Sequence, residues 1–242
     1  MCVTDKSEHN QFHILREKCL AKSSREFKAR GKSVRRCSNC QLADYACICD
    51  YRPQLQSRSE FILLMHRNEV FKPTNTGRLI ADVLPQNTHV ACWSRTEPEP
   101  QLLALLKDER RRCFIVFPEG DDNHCATSGL PQDDKINTFI LLDGTWKQGR
   151  RMLTLSRWLD GIAVLAFPET LMRGYAVRKS EHRYQLSTAE AGGLCLQLTG
   201  ETTQANRLFD YFTLFNQHYV ATRMSTPPVV SDLHHRLKAN SA

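Results

Sequence analysis

The chain has no apolar run approaching the ~18 residues needed to cross a bilayer. Its opening segment, MCVTDKSEHN, also lacks the apolar stretch of an export signal. A cytoplasmic protein is therefore expected. Neither G-x-G-x-x-G nor G-x-x-x-x-G-K-S/T occurs, so a dinucleotide-dependent dehydrogenase and a P-loop triphosphatase have no support. No internal repeat is visible. With 41% hydrophobic and 24% charged residues over 242 positions, the composition is that of a folded protein with one large core and an appendage.

Acidic residues are scarce at the start. Residues 1–36 hold ten Lys or Arg against four acids and so carry most of the formal net charge of +7. A basic amino-terminal arm on a near-neutral body suits a phosphate-rich partner, because each neutralised phosphate releases counterions. The alternative is a solvated amphipathic helix that aids solubility. Over residues 10–29 the apolar positions Phe12, Leu15, Cys19, Leu20 and Phe27 suggest a helix packed on the body through one stripe.

Ten cysteines are present, which without an export signal read as thiols and metal ligands, not disulfides. Cys37-x2-Cys40-x6-Cys47-x-Cys49 brings four thiols into a short segment, the spacing of two knuckles around a tetrahedral Zn²⁺. Four thiolates leave no open position, so the role expected is structural. A redox Cys-x-x-Cys is the competing reading, but it needs a βαβ setting and no second pair. Arg35 and Arg36 directly precede the cluster and are candidates for gripping nucleic acid.

From residue 55 the pattern alternates. Short apolar runs at 61–65, 89–93, 113–117, 139–142 and 162–167 read as strands, with helical periodicity at 77–84, 100–108 and 146–159 between them. This order predicts an α/β fold with a mainly parallel sheet and helices on both faces. Residues 119–136 show no periodicity and are expected to form a long loop. Two closing helices are expected at 187–198 and around 208–219, the first with Ser187 as cap and Glu190 at the capping-box position. The organisation expected is a basic helical arm (1–33), a four-cysteine zinc module (34–54), a catalytic domain (55–222) and a loosely ordered tail (223–242).

Strand ends carry the polar groups. The run 139–142 leads into Asp143-Gly144-Thr145-Trp146 and then Lys147-Gln148-Gly149-Arg150-Arg151. In open α/β sheets such turns at the carboxyl ends of strands bind ligands. Asp143 offers an acceptor, Gly144 close backbone approach and Trp146 a stacking face. The alternative is a helix start, with Asp143 or Thr145 as cap and Trp146 in the core. Lys72-Pro73-Thr74-Asn75-Thr76-Gly77-Arg78, Ser94-Arg95-Thr96-Glu97-Pro98, Pro118-Glu119-Gly120 and Ser187-Thr188-Ala189-Glu190 occupy similar positions. Each alone fits an ordinary turn or cap.

Taken in order, the blocks Asn75 to Asp82, Ser94 to Pro98, Leu142 to Trp146 and Ser187 to Glu190 resemble the signatures of DTW-domain proteins of the TDD superfamily. More narrowly, the chain is similar to the bacterial tRNA-uridine aminocarboxypropyltransferases of that family, from about Arg30 to Tyr219. The resemblance implies a SPOUT-like fold with a knotted carboxyl-terminal part that binds S-adenosylmethionine. It implies transfer of the 3-amino-3-carboxypropyl group to N3 of a uridine in the tRNA variable loop. By the same analogy the S-adenosylmethionine pocket combines Pro118, Glu119 and Gly120 with Asp143, Gly144, Thr145 and Trp146, and with Tyr175, Arg178, Ser187, Thr188 and Glu190. Asp143 is the candidate base or ammonium anchor, with Thr145 and Trp146 orienting the cofactor. Arg35, Arg36, Lys72, Asn75, Thr76, Arg78, Ser94 and Arg95 are candidates for RNA, and Arg78, Arg95 and Arg178 also for the cofactor carboxylate. An RNA methyltransferase on the same fold, or a non-catalytic zinc-containing RNA-binding protein, are the alternatives. Gly149 stands where members of the family often have Ala.

Overall fold

A computed structural model describes residues 10–23, 34–118, 125–127, 129–131, 133–168, 171 and 186–238. Six strands form one sheet among the described residues: β1 (Glu60–Met65), β2 (Thr88–Cys92), β3 (Arg111–Val116), β4 (Ala126–Thr127), β5 (Ile136–Asp143) and β6 (Ala163–Leu165). Their order is β2-β1-β5-β3-β6-β4, and every pairing is parallel. Parallel strands need crossovers, and the expected helices supply them: α2 (Gly77–Val83), α3 (Pro100–Lys107) and α4 (Trp146–Leu155). The helices α1 (Gln11–Ala21), α5 (Thr188–Leu198), α6 (Thr202–Met224) and α7 (Asp232–Lys238) complete the α-helices of the described residues. No helix of the described residues is long and apolar enough to cross a membrane.

Strand alternation divides the core into two layers. Phe61, Leu63, Met65 and Phe139 face one side, where α1, α2, α5, α6 and α7 pack. Ile62, Leu64, Ile115 and Ile140 face the other, against α3 and α4. Both faces are therefore covered, as the near-continuous apolar strands require. All seven residues of α2 are buried. Helix α5 comes close to α2 at Gly192 and to α6 at Gly193, neither of which has a side chain. A Cβ would lie 2.5 Å from Ile80 Cδ1 at Gly192 and 2.4 Å from Phe209 Cε1 at Gly193.

The crossovers from β1 and β5 leave in opposite directions. From β1 the chain passes through α2 to β2 at one edge, whereas from β5 it passes through α4 towards β6. Neighbouring strands whose connections diverge leave a crevice at their carboxyl ends. Met65 pairs with Asp143 at that crevice.

Three expectations need correction. The tail is not loose throughout, because Leu233 and Leu237 of α7 are buried in the core. The 119–136 segment contains the two-residue strand β4, held by backbone pairing to β6 and not by any apolar run. The cysteine segment also shares the main core: Leu42 and Ile48 are fully buried in the layer that holds α2 and α6. At the other end, α1 does dock through Phe12 and Leu15, while Leu20 is 44% exposed. Asn10 caps α1 and donates to Asp82 at 2.9 Å, and Gln11 Oε1 accepts the Val90 N–H at 3.1 Å. The rest of the basic arm lies outside the described residues.

Candidate active site

Asp143 ends β5 with its carboxylate buried at 3% exposure. Asn75 Nδ2 donates to one oxygen at 2.5 Å and the Thr188 hydroxyl donates to the other at 2.6 Å. One side chain thus joins the carboxyl end of the sheet, the segment before α2 and the first turn of α5. Gly77 leaves room for this contact, since a Cβ there would lie 3.0 Å from Asp143 Cγ and Oδ1. Burial pushes the Asp143 carboxyl up to about 6, while the hydrogen bonds from Thr188 and Asn75 pull the other way.

The next residues divide between capping and exposure. Thr145 caps α4: its hydroxyl accepts the Gln148 N–H at 3.4 Å, and its own N–H donates to Gln148 Oε1 at 2.7 Å. Gly144 lies over this box, with a Cβ position 3.0 Å from Gln148 Cβ. Ser187 and Glu190 form the equivalent box on α5, as their spacing predicts. Trp146 is not a core residue. It is 47% exposed and stacked on Phe117 at 5.0 Å between ring centroids and 15° between planes.

Sequence reasoning passed over His66, Glu69 and Trp93. His66 follows β1, and its N–H donates to the Asp143 carbonyl at 2.9 Å. Its ring stacks on Trp93, the residue after β2, at 6.1 Å. His66 Nδ1 accepts the Asn68 N–H at 3.3 Å, so the neutral ring carries its proton on Nε2 and offers a donor. Burial lowers the His66 pKa, favouring that neutral form. Glu69 is buried and paired with Lys72 at 2.6 Å. The signal for His66 and Trp93 was position, directly after β1 and β2; Glu69 lies further along the turn after β1.

The remaining RNA candidates separate. Arg78 is 1% exposed, and its guanidinium donates to the carbonyls of Asn75, Asn39 and Pro73 and lies 5.2 Å from the Phe215 ring centroid. In that position it braces the cysteine segment against α2 and α6 and is not free to meet a phosphate. Arg36 donates to the Gln41 carbonyl, and Arg35 pairs with Asp44. Thr76 precedes α2 without a side-chain cap bond. Ser94 closes its own turn by accepting the Glu97 N–H, and Arg95 beside it is exposed. Pro118 is exposed after β3. Glu119, Gly120, Tyr175 and Arg178 lie outside the described residues.

The four cysteines converge. All four sulfurs lie within 4.8 Å of one another, with Cys37–Cys49 at 3.6 Å and Cys40–Cys47 at 3.7 Å. A tetrahedron with Zn–S bonds of about 2.3 Å has edges of about 3.8 Å, so the donor set fits zinc. A separate cleft of about 460 Å³, lined by residues including Gln11, His89, Leu102, Asp108 and Arg111, shares no residue with the Asp143 cluster.

A parallel sheet with an Asp-Gly-Thr-Trp turn at its crevice, its Asp143 buried and its Trp146 exposed, next to a four-cysteine loop, is what this chain places together. The chain belongs to the DTW-domain family, whose profile matches residues 34–220. It is 22% identical over 167 residues to tRNA-uridine aminocarboxypropyltransferase 2 of Mus musculus, covering 67% of this chain and 55% of that protein. The chain thus spans about half the length of that curated relative. No solved structure matches the chain.

Proposed function

We propose that the protein transfers the 3-amino-3-carboxypropyl group of S-adenosylmethionine to N3 of a uridine in the variable loop of tRNA. The observation that carries this reading is the DTW-domain match, with its Asp-Gly-Thr-Trp turn at the crevice between β1 and β5. The relative's name supports the transferred group and the class of acceptor.

The lining suits a cationic nucleoside. Two buried carboxylates, Asp143 and Glu69, lie near the stacked pair His66–Trp93, and sulfonium and ammonium groups favour carboxylates and aromatic faces. S-adenosylmethionine supplies an electrophilic carbon beside a sulfonium: the uridine N3–C bond forms, the C–S bond breaks, and sulfur leaves as a neutral thioether. Uridine N3 gives up its proton to an acceptor in the site or to solvent. Asp143 acts here as a positioning residue: by accepting from Asn75 and Thr188 it ties the segment before α2 and the first turn of α5 to the end of β5. His66 Nε2–H is a donor for a ligand oxygen. Cys37, Cys40, Cys47 and Cys49 would hold a structural Zn²⁺, whose chemistry is to fix the loop beneath Arg78.

The reading includes a SPOUT-like chain path with a knot in the carboxyl-terminal part and action in the cytoplasm. Incubating the protein with tRNA and S-adenosylmethionine, followed by nucleoside mass spectrometry, tests it. A uridine carrying the aminocarboxypropyl group supports the reading. A methylated uridine would instead indicate a methyltransferase, and unmodified tRNA with no S-adenosylmethionine binding a non-catalytic protein.

A further inference from the structure

Helix α4 has two unlike faces. Gly149, Met152 and Leu153 are buried against the sheet, while Trp146, Lys147, Arg150 and Arg151 are exposed. Trp146 and Arg150 are four residues apart, as are Lys147 and Arg151, so the four side chains share one solvent face. The helix contains no acid, and none of the three cations pairs with one among the described residues. Trp146 is stacked on Phe117, which is 8% exposed, and is itself 47% exposed. Arg151 is close enough to His66 to act on it electrostatically, so this surface borders the Asp143 cluster.

An exposed aromatic ring has a cost in water that a core position would avoid. A rigid aromatic plane beside a row of cations is the pattern that binds unpaired nucleotides: the ring stacks on a base and the cations follow the backbone. We infer that the solvent face of α4 is the RNA-docking wall of the site, with Trp146 as a base-stacking platform for an unpaired nucleotide and Lys147, Arg150 and Arg151 on its phosphates. This rests on the tRNA reading above and moves Trp146 from the cofactor to the RNA.

The test uses the full-length protein and a fluorescently labelled tRNA transcript, with binding measured over a range of salt concentrations without S-adenosylmethionine. S-adenosylmethionine affinity is measured separately by calorimetry. Replacing Lys147, Arg150 and Arg151 together with Gln should weaken tRNA binding and reduce the log–log salt slope by about two to three. Trp146→Ala should weaken tRNA binding about 5- to 150-fold with the slope unchanged, and Trp146→Phe should restore much of it. S-adenosylmethionine affinity should stay at the wild-type value in all these variants, none of which alters a side chain of the Asp143 cluster. A wild-type salt slope in the triple variant would overturn the inference while leaving the tRNA reading intact. So would a Trp146→Ala protein that loses S-adenosylmethionine and keeps tRNA. Wild-type protein that does not bind tRNA would overturn both.

Discussion

Thr188 donates its hydroxyl to Asp143 at 2.6 Å across 45 positions of sequence, tying the first turn of α5 to the carboxyl end of β5. Thr188→Val keeps the shape and removes the donor. A buried carboxylate oxygen without a partner costs about 1–3 kcal/mol, so the variant should lose about that much in urea unfolding. Wild-type stability in Thr188→Val would show that the contact carries no weight.

Asp143 also sets a pH dependence. Its folded value is about 6, above the ordinary carboxylate value of 3.8, because burial disfavours the charge. The stabilisation from this group is therefore full below about pH 4 and is lost as pH rises through about 6. The size is roughly 3 kcal/mol, at about 1.4 kcal/mol per pH unit. Relative to Asp143→Asn, wild-type stability should fall by about that amount between pH 4 and pH 7. Denaturant midpoints measured at each pH check this, and a constant difference would contradict it.

Two glycines on either side of the crevice should respond in opposite ways. At Gly77 an added methyl meets the Asp143 carboxyl carbon at 3.0 Å, so Gly77→Ala should cost about 1–3 kcal/mol and impair turnover. At Gly149 the nearest atom to a new Cβ is Phe117 Cε2 at 3.5 Å, an ordinary contact. Gly149→Ala should stabilise α4 by up to about 1 kcal/mol with little effect on turnover. Thermal denaturation of the two variants side by side checks both signs.

Elemental analysis of purified protein should find one zinc per chain. Cys37→Ser should release it and lower the melting temperature. Because Leu42 and Ile48 of the same loop are part of the core shared with α6, the loss should loosen the body and not only the loop. A metal-free wild-type protein with unchanged stability would remove the zinc assignment.

Alternation of apolar runs with amphipathic stretches made the parallel sheet legible, because strands buried on both faces cannot hide their composition. The Ser187–Glu190 capping box was legible as well, since its chemistry is local, whereas at α4 the sequence left Asp143 and Thr145 as alternative caps and did not point to Gln148. What sequence could not show was contact across the fold. Arg78 looks like a phosphate ligand until Asn39 and Phe215 are seen around it. Asp143 reads as a strand-end acid until Asn75 and Thr188, 68 and 45 positions away, are seen donating to its two oxygens. Short β4 and the small helix α7 were missed because two residues of strand, or two leucines of helix face, leave no periodic signal.

The central claim concerns which carbon leaves the donor. Full-length protein should be incubated with tRNA and two preparations of S-adenosylmethionine, one labelled in the carboxyl carbon and one in the methyl group. The account predicts that carboxyl label appears in a variable-loop uridine and that methyl label stays with the small-molecule product. Methyl label in the tRNA, with no carboxyl label, would contradict it.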